Sequence, residues 1–554
     1  MFSTIPTSAR GLVAAVCWIL LARGIASSQA ASAQTVSSAA GPPYRVAGTV
    51  VSQIDGHPLG RARVTLRQAK EPGKFESVIT EDDGKFAFQS VPAGKYSLTG
   101  AKRGYIAASL DQHDQFSTAI VTGAGVETEG LVLKLAPNAV IWGRILDEAG
   151  EPVRQANVKL YYDDHQAGVD QIHMRSGTQS DDLGTYELPN LVPGTYFLSA
   201  QATPWYAVHP PPASGGQEKI AVDRSLDVAY PVTYYADVTD SDSATPIPLK
   251  GGERLQVDVH LNPVPALRLT FKVPGDPQHG FAFPRLEQPA FDGSDFVQTS
   301  GGMMLSPGLF EVTGIPAGHY DVRLQGQGIS VQMNGIDLNK DGEQIDSGAA
   351  EPLGSVKLAV QIPGETSIPK GLSIGLRSKG RNLAGFRPLD EKGEAEITDI
   401  PAGRYDILVW GSRKPYSIAR IAAEGAQVSG HGIILSAGAS ASASLVLVAG
   451  SVEVNGVAMK AGKGFAGAMV VLVPGNPEGN RDLFRRDQSD LDGTFTLHNV
   501  VPGSYRLVAI ENGWDLDWAQ PAVIAAYAQH GRAIEVRDSS KSLNLADAIT
   551  VQAK

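Results

Sequence analysis

The chain has 554 residues, too many for one hydrophobic core and enough for about three to five domains. Hydrophobic residues at 42% and charged residues at 19% describe ordinary globular protein, which excludes a disordered chain or a bundle of membrane spans. A net charge of −11 argues against nucleic acid as a partner.

At the start, Arg10, the apolar run Gly11 to Leu21 and the small-residue motif Ala31-Ser32-Ala33 predict a secretory signal peptide over residues 1–33. The run is short for an anchor, and Arg23 follows close behind it. Cys17, the only cysteine, sits inside the run after Val16, which does not fit a lipidation signal. The mature chain therefore offers no disulfide, thiol nucleophile or thiolate metal site. Export without disulfides suits a bacterial periplasmic, cell-surface or secreted protein. Cleavage leaves 45 basic against 58 acidic residues, a net charge of −13. No later stretch is long and apolar enough to predict a transmembrane segment.

Along the rest of the chain one pattern returns five times: an apolar residue, Pro, an optional Ala, Gly, any residue, Tyr, then alternating apolar residues. It reads Val91-Pro92-Ala93-Gly94-Lys95-Tyr96, Val192-Pro193-Gly194-Thr195-Tyr196, Ile315-Pro316-Ala317-Gly318-His319-Tyr320, Ile400-Pro401-Ala402-Gly403-Arg404-Tyr405 and Val501-Pro502-Gly503-Ser504-Tyr505. The tyrosines lie 100, 124, 85 and 100 residues apart, the spacing of β-sandwich domains. Pro fixes φ, Gly is expected to supply a left-handed turn, and Tyr should turn inward with its hydroxyl on a backbone group, as at a sandwich corner.

Each well-preserved copy also carries an upstream Gly hairpin followed by alternation: Asp83-Gly84-Lys85-Phe86, Leu183-Gly184-Thr185-Tyr186 and Asp492-Gly493-Thr494-Phe495. Copies three and four keep only Pro307-Gly308-Leu309-Phe310 and Lys392-Gly393-Glu394-Ala395. No long helical period appears. The predicted fold is all-β, a tandem array of about five antiparallel Greek-key β-sandwich domains after the signal peptide. Their expected extents are 42–135, 136–264, 265–352, 353–448 and 449–554. Laid end to end they would span roughly 150–200 Å, from strand rise and length.

The order G-x-V, G-x-P-L/V, A-x-V-x-L, D-G-x-F/Y and P-x-G-x-Y is complete in copy one and followed, with substitutions, in copies two and five. It resembles the carboxypeptidase regulatory-like domain, a transthyretin-like sandwich related to bacterial B-type surface repeats and starch-binding-like folds. In the family's enzymes that domain stands beside a zinc peptidase domain. Here no H-x-x-E or H-E-x-x-H occurs among the eleven histidines, so the resemblance implies neither catalysis nor a cofactor.

Other motifs carry little chemistry. Gly371-Leu372-Ser373-Ile374-Gly375 has the spacing of a hydrolase nucleophile elbow but reads as a strand without a following helix. Asp337 to Gly342 begins like a calcium loop, yet Gly348 stands where the bidentate carboxylate belongs. Asp163, Asp164, His165, Asp170 and His173 could supply metal donors, but solvated loop tips look the same, and no metal site is predicted.

The long tail of copy two is the richest segment. Trp205, Tyr206, Tyr234 and Tyr235 are interleaved with Pro210-Pro211-Pro212 and several aspartates, and ring faces beside carboxylates suit a shallow carbohydrate site. Rings pinning a loop to the sandwich are the competing explanation. Trp514 and Trp518, beside Asp515 and Asp517, form a smaller case of the same kind. The expected function is non-catalytic extracytoplasmic binding or adhesion, with polysaccharide or another envelope protein as partner. The alternative is a structural spacer or envelope assembly protein with no small-molecule site.

Overall fold

The computed structural model describes residues 43–554 except 124, 210–222, 273–282, 307, 327–328, 347–349, 379–380, 412–415, 451 and 538–540. The signal peptide and the Pro210-Pro211-Pro212 run lie outside the described residues. No helix among the described residues is long and apolar enough to cross a membrane.

Period-2 alternation produces strands almost throughout. Leu131–Leu135, for example, is buried at every second residue. In the first sandwich, Tyr44–Ser52 pairs antiparallel with Lys85–Val91 and parallel with Leu131–Leu135. The facing sheet runs Phe75–Ile79, Arg63–Gln68, Gly94–Ala101, with two short strands completing the far edge. The other four repeats follow the same plan. Each opening strand takes a late strand of its own repeat as a parallel partner, and nearly all other pairs are antiparallel. Five apolar cores result, one inside each sandwich; in the fifth, Ile549–Gln552 pairs with both Val452–Lys460 and Gly503–Ile510 and joins the strands into one nine-stranded sheet.

The five tyrosines hold the corners. Tyr96, Tyr196, Tyr320, Tyr405 and Tyr505 are all buried, and each hydroxyl donates to the carbonyl four residues back. The distances run from 2.7 Å at Tyr320 to 3.0 Å at Tyr96.

The turn glycine supplies positive φ, as expected, in three of the five copies and has a different reason in the others. Gly194, Gly403 and Gly503 adopt positive φ of 156–158°, whereas Gly94 and Gly318 do not; a further left-handed residue lies upstream, at Asn190, Gly314, Asp399 and Asn499. At Gly318 glycine is required for room, because the Tyr320 ring folds back over it. A Cβ on Gly318 would stand 3.1 Å from the Tyr320 hydroxyl. The hairpin glycines do supply positive φ. Gly84, Gly184, Gly393 and Gly493 sit at 70–83°, and a Cβ on any of them would come within 2.7 Å of an opening-strand carbonyl.

The fifth sandwich differs from the rest. Its strand Met469–Pro474 is buried at every residue, because a second apolar cluster covers its outer face. That cover is built from Trp518, Ala519 and the one α-helix among the described residues, Pro521–Ala528. Proline opens this helix, no side chain caps it, and Ile524 is its buried residue. Eight residues without a cap or polar face give almost no helical period.

The fifth sandwich also packs against the first and second, so the chain is not an end-to-end rod. Ala119 N–H donates to the Asp490 carboxylate at 3.0 Å, and Leu491 N–H donates to the Ala119 carbonyl at 3.0 Å. The buried Gln488 amide donates to Asp111 O and Thr118 Oγ1. Small-angle scattering from the mature chain is expected to give a maximum dimension well short of the rod length. A value of about 150 Å or more would contradict this closure.

Candidate functional site

The second sandwich's tail leaves its Gly194–Gln201 strand and passes Trp205 and Tyr206 before returning through Tyr230, Tyr234 and Tyr235. The four candidate rings do not share a surface. Trp205 is 85% exposed and stands edge-on to Tyr206, with ring centroids 5.8 Å apart. The Tyr206 hydroxyl donates to one Glu148 oxygen at 2.5 Å, and the Tyr230 hydroxyl donates to the other at 3.1 Å. Burial works against the Glu148 charge, but these two hydroxyls and its own amide outweigh it and hold the carboxyl below its ordinary range. Burial and the adjacent carboxylate push the Tyr206 phenol up to about 12. An exposed indole therefore rests on a ring whose hydroxyl is fixed from beneath.

Tyr234 cannot belong to that surface. It is fully buried in the third sandwich's core, 5.6 Å from the Phe291 ring and 6.4 Å from Tyr161. It lies on a two-residue strand that pairs with Ser199 and Ala200 of the second sandwich. The ring therefore bridges two sandwiches and offers no face to a ligand. Tyr235 is half-buried against the second core. For these two rings the loop-pinning explanation holds.

Glu148 carried no sequence signal, since Glu148-Ala149-Gly150 reads as a plain turn. A groove of about 430 Å³ opens between the second and third sandwiches, lined by Glu287, Asp292, Asp295, Asp321 and Arg323. Its tyrosine, Tyr161, is buried and donates to Asp295.

Trp514 and Trp518 prove to be interface residues. His113 of the first sandwich stacks on Trp514 at 4.9 Å, and the Trp514 indole N–H donates to Gly467 O. Trp518 is covered by the Arg486 guanidinium 4.2 Å above its ring, itself anchored on Asp114 and Gln166 O. Cation–π contact suits so desolvated an arginine. Asp337 to Gly342 forms a turn in which the Asp341 carboxylate accepts from Arg268 N–H at 2.9 Å. Ser373, of the elbow-like motif, begins a strand.

His165, Asp170 and Asp517 bring ligand atoms within 4.8 Å of one another. Their geometry is that of hydrogen bonding. His165 Nδ1 lies 2.6 Å from Asp170, closer than the ~3 Å that separates neighbouring ligands around a metal with ~2.1 Å bonds. His165 Nε2 lies 2.6 Å from the Leu516 carbonyl.

The fold and its repeated corners define a protein of tandem β-sandwich domains. The sequence model of the carboxypeptidase regulatory-like domain matches residues 45–123 and 140–215, in its first two sandwiches. No curated protein matches the chain. Among solved structures it is similar to GBS52, the minor pilin of Streptococcus agalactiae, at 14% identity over 42% of this chain and 100% of that one, with a TM-score of 0.21. A streptococcal ancillary pilin matches at 13% identity over 55% and 98%, with a TM-score of 0.20. The Bacillus anthracis TIE protein matches at 11% identity over 73% and 74%, with a TM-score of 0.17.

Proposed function

We propose that this is a non-catalytic, exported binding protein whose second sandwich presents Trp205, braced by Tyr206 and Glu148, to a carbohydrate. The observation that carries this reading is the 85% exposure of a tryptophan whose supporting ring is held in place by hydrogen bonds. Leaving a large ring in water costs hydrophobic free energy, and stacking on sugar C–H faces would recover it. One ring makes a shallow site, so affinity is expected in the micromolar to millimolar range. Polysaccharide pull-down and glycan-array binding of the mature chain test this, with Trp205→Ala expected to abolish retention. If no glycan is retained, or Trp205→Ala binds as well as wild type, the carbohydrate reading fails.

A second reading, an envelope assembly protein without a small-molecule site, is favoured by the packing of the fifth sandwich on the first and second. Such closure turns separate sandwiches into a frame for another envelope protein. Binding to a purified envelope protein that survives Trp205→Ala would favour it.

A further inference from the structure

The contact between the second and fifth sandwiches contains a histidine whose two ring nitrogens both face acceptors. Nδ1 of His165 lies 2.6 Å from the Asp170 carboxylate and 3.5 Å from Asp517; Nε2 lies 2.6 Å from the Leu516 carbonyl. A carbonyl never donates, and an ionised carboxylate only accepts. A neutral imidazole carries one N–H and can satisfy one of these partners; the imidazolium satisfies both.

The geometry points to a pH-operated clasp, in which doubly protonated His165 ties the second sandwich to the fifth and releases it when the ring loses a proton.

The surroundings favour the charged ring from both sides. From the second sandwich, Asp170 faces it, with Asp163 nearby. From the fifth come Asp517 and the Leu516 carbonyl, with Asp515 more distant and paired to Lys554. The cation Arg486 lies at the same junction, its guanidinium spent on Gln166 O, Asp114 and the Trp518 ring. Burial of His165 opposes its charge, but the Leu516 carbonyl and the Asp170 and Asp517 carboxylates outweigh it and raise its pKa. A histidine with a raised folded pKa contributes fully below its unfolded value of about 6.5. That contribution is lost as pH climbs through the folded value, so the clasp is closed in mild acid and loosens on the alkaline side.

The same junction holds a reporter. Ala519 N–H donates to the Gly168 carbonyl at 3.0 Å, a main-chain bond between the two sandwiches. Gly168 packs so tightly under Trp518 that a Cβ would lie 2.4 Å from the indole.

Amide hydrogen exchange of the mature chain, corrected for the intrinsic pH effect, should show opening of residues 513–520 rising up to about tenfold per pH unit above the His165 midpoint. His165→Gln, which has neutral donors at every pH, should remove that slope while the amides of the five cores stay protected. Asp170→Asn should lower the midpoint. Histidine NMR supplies the second measurement, with an expected His165 midpoint above 6.5. An unchanged slope in His165→Gln, or a His165 midpoint at or below 6.5, would overturn the clasp.

Discussion

Replacing Tyr196 by alanine is expected to cost the second sandwich about 3–5 kcal/mol, the range for removing a large buried aromatic ring. The ring is fully buried, packs 5.0 Å from Tyr162, and carries the bond to the Val192 carbonyl at 2.8 Å. Gly194 sits beside Tyr162, where a Cβ would approach the ring to 2.6 Å, so the backbone cannot close over the void without moving that ring as well. Tyr196→Phe separates the two contributions. It keeps the volume and removes the hydroxyl, and should cost about 1 kcal/mol for the lost bond. Exchange of the amides in Asn157–Asp164 and Gly194–Gln201 reads the local stability in the intact chain. An alanine variant that loses less than about 1 kcal/mol there would remove the tyrosine from its structural role.

That corner was legible in the sequence because every part of it is local. The hydroxyl reaches the carbonyl four residues back, the glycine that makes room lies two residues before the tyrosine, and the hairpin glycine closes on a carbonyl three residues earlier. Short-range geometry repeats whenever the residues repeat, so five copies announced five sandwiches. The contacts that join them are different in kind. Asp490 occupies the same hairpin position as Asp181 and Asp390, whose carboxylates cap amides two and four residues on. Asp490 instead accepts from Ala119 and pairs with Lys95 of the first sandwich. The motif is shared, and the partner lies 371 residues away. Tyr234 was misread for the same reason, since its burial depends on Phe291 of the next sandwich. One signal was available. Met469-Val470-Val471-Leu472-Val473 does not alternate, and an unbroken apolar strand implies cover on both faces. It marked the fifth sandwich as the one packed from outside.

The fifth sandwich is also where pH should matter most for stability, through Asp487. Burial pushes its carboxyl up to about 6, against the Thr496 and Gln488 amides that favour its charge and alongside Asp490, which adds a like charge. The sign follows from the direction of the shift. A carboxyl with a raised folded pKa is favoured in its neutral form, so it costs nothing below the unfolded value of about 3.9 and its penalty grows as pH climbs through 6. The difference of about two units corresponds to up to about 3 kcal/mol above pH 7. Asp487→Asn removes the ionisation while its amide oxygen can still accept from Thr496 N–H, which donates to Asp487 at 2.7 Å. The variant is therefore expected to stabilise the fifth sandwich by as much as about 3 kcal/mol at pH 7.5, falling below about 1 kcal/mol at pH 4.5. Exchange of the Met469–Pro474 amides at both pH values measures it, and because Trp518 and Ala519 of the second–fifth junction cover this strand, the comparison is made in a His165→Gln background. A gain of equal size at the two pH values would mean that shape and not charge is responsible. No gain at pH 7.5 would mean that the carboxylate is solvated well enough to ionise without penalty.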